Sequence, residues 1–411
     1  MIAREVIKEI EKRLGEEKVL VLKWPRQVGK TTIMKYLQQQ LESQWNPTLY
    51  FNADIELGNS IFSNSKQCIN FLKTQLWSKK LYVFIDEFQY ISDAWLFLKG
   101  VFDELKKEIQ LIVSGSSSLE ISKNSEFLTG RKIDFEIEGI SFFEYITFAS
   151  KLKYKKYPLD EIFEVWYNTD DVTTHLLNYL NYGSYPEVLT TNENEKKKAI
   201  LKEIISTYIS KDISTFMKIS EVGSFNNLLK VLASQIWNLV NKSELWNTLN
   251  LDHRKLNHFL DILSGTYVIN LVSPYFTNTR KEISKMPKVY FSNLSIVNYF
   301  TWNYVDTLDT LEGSFIENFV YTSLKQHWTI KYYRTLANAE IDFILEKENT
   351  LIPIEVKFKN KVWGIPIAMT NFENNYKKQV KNKIIITKNE LAKDGDVYKI
   401  PFYLLDFIKT L

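Results

Sequence analysis

The sequence predicts an α/β protein that opens on a parallel sheet carrying a phosphate loop and closes on a second, mixed α/β domain. Three observations predict it. The apolar run 19–22 leads through a loop into Gly29-Lys30-Thr31-Thr32 and then into a helical pattern over 33–41. A second apolar run, 81–85, ends in Asp86-Glu87. Far downstream, the alternating runs 339–345 and 351–358 direct Asp342, Glu355 and Lys357 towards one spot.

Composition narrows the classes. At 411 residues the chain is too long for one simple core and suggests two to four domains. With 45% hydrophobic and 25% charged residues it reads as globular, and a net charge of +3 does not announce nucleic acid. A DNA-binding surface must therefore come from local clustering. Cys68 is the single cysteine, which rules out an internal disulfide or a cysteine zinc site and fits a cytoplasmic protein. No run of about 18 apolar residues occurs and the N-terminus lacks the apolar centre of a signal peptide, so no membrane partner is expected. His175, His253, His258 and His327 show no H-E-x-x-H arrangement, against a zinc hydrolase.

In chain order, residues 1–16 read as an amphipathic helix that covers the sheet, with Ile2, Val6, Ile7, Ile10 and Leu14 on one side. Strand, loop and helix then form a phosphate cradle, because backbone N–H groups at a helix N-terminus converge on an anion. Pro25, Arg26, Gln27, Val28, Gly29, Lys30, Thr31 and Thr32 are the expected nucleotide-binding residues. Lys30 would reach the β- and γ-phosphates and Thr31 would ligate Mg²⁺. Trp24 stands where G-x-x-x-x-G-K-[ST] has its first glycine, so its ring must point outward or shift the loop entry.

A strand near 48–53, a helix over 65–77 and the strand 81–85 follow. Asp86 would hold the metal through water while Glu87 orients or deprotonates the attacking water. The same pair also suits a helix cap. The strand 110–113 ends in Ser114-Gly115-Ser116, and both serines are candidate γ-phosphate sensors or ordinary turn residues.

The text at 26–32, RQVGKTT, with VFIDEFQYI at 83–91, LIVSGSSS at 111–118, LTGRKIDFEIEGISFFEY at 128–145 and YGSYPEVL at 182–189, closely resembles a group of prokaryotic AAA-type ATPases. In that group a P-loop domain is fused to an uncharacterised C-terminal region with a winged helix and a restriction-endonuclease-like fold. The resemblance implies a P-loop ATPase core over 1–145, a helical lid over 146–225, a winged helix over 226–300 and a nuclease-like α/β domain over 301–411. It also implies that Arg131, in Gly130-Arg131, serves the γ-phosphate of a neighbouring subunit in a homo-oligomer; a surface ion pair is the plainer alternative. Trp24 and Gly139 depart from the family pattern, which has glycine and proline there.

Ser141 and Glu144 form a capping box that starts the next helix. Within 226–300, residues 242–249 and 253–263 read as two helices around a turn with Asp252 as N-cap, and strands at 267–271 and 288–291 frame a wing. The second helix would expose His253, Arg254, Lys255, Asn257 and His258 to DNA, or serve as a plain packing module.

In the last hundred residues a hairpin turning at 346–350 brings Asp342 within about one residue of facing Glu355. The two carboxylates would hold Mg²⁺ or Mn²⁺, and Lys357 would orient the attacking water or stabilise the developing charge. The spacing resembles the PD-(D/E)XK nuclease pattern, and Glu317 sits where that fold often adds a carboxylate, although Ser314-x-x-Glu317 is itself a capping box. A cross-strand ion pair on a solvated face is the alternative. Lysines 357, 359, 361, 377, 378, 381 and 383 would attract phosphates or form ordinary surface. The expected function is Mg²⁺-dependent ATP hydrolysis acting on DNA with a metal-dependent nuclease-like domain. The alternative is a non-cutting nucleotide switch that scaffolds a protein partner.

Overall fold

The computed structural model describes residues 2–411 except 24, 57, 77, 116–124, 166, 214–218, 277, 279, 281, 283–284, 326–327 and 336–338. It divides into two compact units, residues 1–140 with 265–267, and 141–264 with 268–411.

The first unit is built on β1 (Val19–Lys23), β2 (Thr48–Asn52), β3 (Leu81–Asp86), β4 (Ile109–Gly115) and β5 (Lys132–Glu136), in the spatial order β2-β3-β4-β1-β5. Every neighbouring pair is parallel. β1, β3 and β4 are buried almost throughout, as β-branched and aromatic runs should be when helices cover both faces. Val19, Val21, Val83, Ile85, Leu111 and Val113 meet Leu72, Leu98 and Val101 from the helices Ser65–Thr74 and Ala94–Leu105. Cys68 lies in this core, and burial pushes its thiol up to about 12. β5 alternates half-buried and exposed positions, with Lys132, Asp134 and Glu136 guarding the sheet edge.

Two sequence expectations change here. The first helix spans only Glu5–Glu11, and Val6 and Leu14 are half-buried. A fifth strand beyond those expected, β5, takes the alternating text Lys-Ile-Asp-Phe-Glu. Insertion of β4 between β1 and β3 decides the geometry that follows, because it sets the tip of β4 between the phosphate loop and Asp86.

The second unit begins with the helix Phe142–Ala149, whose Ser141–Glu144 capping box forms at 3.0 and 3.1 Å. The short strand β6 (Tyr157–Pro158) and the helices Thr169–Tyr182, Pro186–Thr190 and Asn194–Thr207 follow. Next come helices Val222–Ser234, Lys242–Leu249 and His253–Gly265, then β7 (Ile269–Val272) antiparallel to β8 (Lys288–Phe291), with a further bridge from Leu239 to Lys288. Asp252 caps the third of these helices, accepting from the Lys255 N–H at 2.9 Å.

A mixed sheet closes the unit. β9 (Thr329–Arg334), β10 (Glu340–Lys347) and β11 (Thr350–Lys357) run antiparallel, β12 (Lys383–Thr387) lies parallel to β11, and β14 (Val397–Pro401) and β13 (Ala392–Asp394) continue the sheet. The β10–β11 turn is tighter than expected: Lys347 pairs Thr350 and Glu348 adopts φ 55°. The helix Ile367–Tyr376 supplies Met369 and Phe372 to a core with Ile341, Leu351 and Ile385, while the helix Gly313–Leu324 packs on β11 and β8. With both faces covered, the β10–β11 hairpin is interior; the solvated-face alternative fails because residues 351–355 are all buried.

Candidate functional site

At the C-terminal edge of the first sheet the chain leaves β1 and curls through Gln27 (φ 65°) and Gly29 (φ 97°), both left-handed, into the helix Lys30–Ser43. Such a curl turns successive amides towards one concavity. Lys30 is only 5% exposed, and its ammonium folds back to donate to the Pro25 carbonyl at 2.7 Å. Arg4 braces the loop from below, donating to the Val28 carbonyl at 3.0 Å and to the Gly139 carbonyl at 3.2 Å. Arg26 reaches Tyr90 Oη at 3.2 Å, and Thr31 and Thr32 are exposed at the mouth. Trp24 and Ser116 lie outside the described residues.

Thr31 Oγ1 donates to Asp86 Oδ2 at 2.6 Å, so the loop hydroxyl and the acidic strand end converge. Two further donors hold the same carboxylate: Tyr50 Oη reaches Oδ2 at 2.9 Å and Ser114 Oγ reaches Oδ1. Ser114 in turn accepts the Glu87 N–H at 3.3 Å. Glu87 itself is left-handed (φ 54°, ψ 44°), an uncommon and costly conformation for a residue other than glycine, and its carboxylate accepts from Gln89. Asp86 is buried in a hydrogen-bonded knot, while Glu87 stands at the N-cap of the 3-10 turn Phe88–Tyr90, where its carbonyl accepts the Tyr90 N–H at 3.1 Å but its side chain makes no capping hydrogen bond. Burial first, and the Asp86 charge second, raise the Tyr50 hydroxyl well above its ordinary range, so Tyr50 remains a donor. Tyr50 and Arg4 were missed in the sequence; the only signal for Tyr50 is its place two residues before the end of the strand beside β3.

Thr31 and Asp86 together offer the hard oxygen donors that suit Mg²⁺. Arg131 is elsewhere. It precedes Lys132, which pairs with Val19 at the start of β1, so one strand length, roughly 16 Å, separates it from the loop. Its guanidinium pairs with Asp103 at 2.7 Å on the surface. Service to its own loop is excluded by that distance.

The second unit holds a different constellation. The register carries Phe343 against Ile354 and, one step on, Asp342 against Glu355. Asp342 Oδ2 accepts the Val356 N–H at 2.8 Å, and Lys357 donates to Glu355 Oε1 at 2.6 Å. Glu317 is not a capping residue: its helix starts at Gly313, and the side chain turns inward to accept from Tyr290 Oη at 2.5 Å.

The unforeseen member is Lys288 of β8, 1% exposed. Its ammonium lies 3.1 Å from Glu317, 2.5 Å from Glu340 and 3.7 Å from Asp342, with the rings of Trp237 and Tyr332 at 5.6 and 5.7 Å. Burial alone would lower its pKa, but the charges of Glu317, Asp342 and Glu340 outweigh that and hold it above the usual lysine range. Burial raises Glu317, Asp342 and Glu355 in turn, with neighbouring carboxylate charge adding to each.

These donors fit an ammonium better than a divalent cation. Glu317 Oε1 is shared by Lys288 and Tyr290, Asp342 is divided between Lys288 and a backbone amide, and Glu355 Oε1 belongs to Lys357. Among the described residues no group of three or more Asp, Glu, His or Cys is arranged to hold a metal ion. Glu355 Oε2 alone among these oxygens is buried with no hydrogen-bond partner.

The remaining expected residues divide. On the helix His253–Gly265, His253, Arg254 and His258 are exposed, whereas Lys255 pairs with Glu221 at 3.0 Å and Asn257 accepts from Lys242 at 2.6 Å. Lys383 does not belong to a phosphate-attracting surface: it is buried between Glu373 and Asp396.

Residues 16–146 match a family model described as an AAA domain. The first unit carries an AAA-type ATPase domain. Beyond this AAA domain, residues 173–306 match a domain of unknown function (DUF8612) and residues 312–404 another (DUF4143). An uncharacterised protein of Methanocaldococcus jannaschii is 23% identical over 84% of this chain and 76% of its own length. One from Haemophilus influenzae is 21% identical over 87% of each chain. Among solved structures, the replication initiator DnaA bound to AMPPCP and single-stranded DNA aligns with TM-score 0.34 and 14% identity over 64% of this chain and 90% of that one. AMPPCP-bound DnaA from Aquifex aeolicus aligns with TM-score 0.27 and 16% identity over 63% and 86%. Among the described residues no helix is long and apolar enough to cross a membrane.

Proposed function

We propose that the protein binds and hydrolyses ATP with Mg²⁺ and that its second unit engages DNA, with Lys30, Thr31, Asp86, Glu87 and Ser114 working the nucleotide. The observation that carries the first half is the contact of Thr31 Oγ1 with Asp86, because it joins the phosphate loop to the acidic strand end across β4. A bound Mg²⁺, held by Thr31 and by Asp86, would neutralise phosphate charge. The loop amides orient the triphosphate, and Lys30 exchanges the Pro25 carbonyl for phosphate oxygens. Glu87 accepts a proton from, or orients, the attacking water, and the Ser114 hydroxyl links it to Asp86. Arg131 is free to serve only a neighbouring copy, by exchanging Asp103 for that copy's phosphate.

Mg-ATP is expected to raise the melting temperature of the full chain, since a ligand at a hundred times its dissociation constant adds about 2.7 kcal/mol of stability. No stabilisation and no calorimetric heat would remove the nucleotide reading.

For the second unit we favour DNA gripping over cutting, because Lys288 already neutralises the carboxylates. The helix, three antiparallel strands, helix and parallel strand over 313–387 support a nuclease-like ancestry, and the exposed basic side chains of 253–258 support a winged-helix reading of the segment before it. The unpartnered Glu355 Oε2, opposite Asp342, is the specific observation in favour of cutting. Linear and supercoiled DNA incubated with Mn²⁺ separate the two: gripping predicts intact DNA with wild type, whereas cleavage that disappears in Asp342→Ala would establish the nuclease.

A further inference from the structure

The segment that leaves β11 displays bulky apolar side chains to solvent. Trp363 is 80% exposed and Ile367 78%, with Ile365 also open. Single exposed apolar residues are ordinary, but a tryptophan and two isoleucines within five positions make a patch. The display is built rather than slack. Val362 is buried in the core with Ile341 and Phe372; its N–H donates to Glu390 Oε2 at 2.6 Å and its carbonyl accepts from Lys399. One residue on, Trp363 points outward, and Gly364 at φ 70° turns the chain with open space around the position where a Cβ would stand. Pro366 then starts the helix Ile367–Tyr376.

The charge of the segment selects the partner. Lys357, Lys359 and Lys361 alternate up to the patch, and no acidic residue occurs between Glu355 and Glu373. Lys359 and Lys361 are exposed, and the Lys361 ammonium lies 4.6 Å from the centre of the Trp363 ring, leaving most of that residue accessible. Cations beside an exposed aromatic plane are what a flexible polyanion with flat bases requires: lysines take phosphates and the ring takes a base. Duplex DNA buries its base faces in the stack, so it offers this ring nothing.

We propose that the 357–367 loop is a single-strand-binding platform on which Trp363 stacks on a nucleobase while Lys359 and Lys361 hold the flanking phosphates. The platform rests on the nucleic-acid reading above and names the form of nucleic acid engaged. Because the loop is already pinned at Val362, little ordering is lost when the strand arrives.

The test is anisotropy of a labelled oligothymidylate titrated with the full chain at low salt. Trp363→Ala is expected to weaken binding roughly ten- to a hundred-fold, Trp363→Phe to restore most of it, and Lys359→Ala with Lys361→Ala to flatten the salt dependence. Duplex of the same length should bind more weakly and respond little to Trp363→Ala. Because the side chain is exposed, Trp363→Ala should melt as wild type does. Wild-type affinity in Trp363→Ala overturns the platform alone. Failure of the wild type to bind any oligonucleotide overturns the nucleic-acid reading with it. Trp363-dependent sedimentation with phosphatidylglycerol vesicles, or Trp363-dependent self-association, in place of oligonucleotide binding would likewise overturn it and assign the patch to lipid or to a second copy. ATP turnover, measured in the same preparations, stands apart from each outcome.

Discussion

Replacing Lys30 by alanine is expected to lower ATP turnover by roughly a hundred-fold or more, the cost of removing one charge that stabilises a transferring phosphoryl group. The structure supplies the reason for so large an effect. Lys30 is buried and its ammonium is held by the Pro25 carbonyl at 2.7 Å, within the loop that would wrap the triphosphate. Phosphate release by wild type and Lys30→Ala, measured side by side, checks it. Lys30→Arg separates charge from shape, because a guanidinium restores the charge but not a compact ammonium. Equal rates in wild type and Lys30→Ala would mean that turnover in the preparation does not come from this loop.

Replacing Lys288 by methionine is expected to cost about 3–5 kcal/mol of stability, since removal of one partner leaves buried charges uncompensated. Three carboxylates, Glu317, Glu340 and Asp342, lie within 3.7 Å of that ammonium, and Lys288 is 1% exposed beside the rings of Trp237 and Tyr332. The loss should appear as a lower melting temperature of the second unit. Adding Glu317→Gln to Lys288→Met should recover part of it, because the pair is coupled and the second change removes one of the stranded charges. A Lys288→Met chain that melts with wild type would show that the carboxylates already carry protons and that the lysine is not their counter-ion.

The two sites differ in how far residue order alone revealed them. The phosphate loop is local: Gly29, Lys30 and Thr31 are neighbours in the chain, at the point where left-handed turns at Gln27 and Gly29 lead into the helix Lys30–Ser43. The Asp342–Glu355 pairing was also legible, because a hairpin with a short turn has a register that period-two counting predicts. Glu317 was found for its spacing but with an unsettled role, since a capping box and an inward carboxylate share the same four-residue pattern. Lys288 was legible only as one lysine heading the short apolar strand Lys288–Phe291. Its partners come from a helix 29 positions away and a strand beyond it, and no periodicity links them.

Sequence by itself determined the phosphate loop, the strand end at Asp86-Glu87 and the hairpin carrying Asp342, Glu355 and Lys357, because each is set by backbone preferences and hydrophobic period over a few residues. Tertiary structure decided the rest. Strand order, a product of packing, placed β4 between β1 and β3 and so brought Tyr50, Thr31 and Ser114 onto one carboxylate. Packing of β8 against the last sheet put an ammonium among the carboxylates, since burying those charges without a counter-ion would cost several kcal/mol for each.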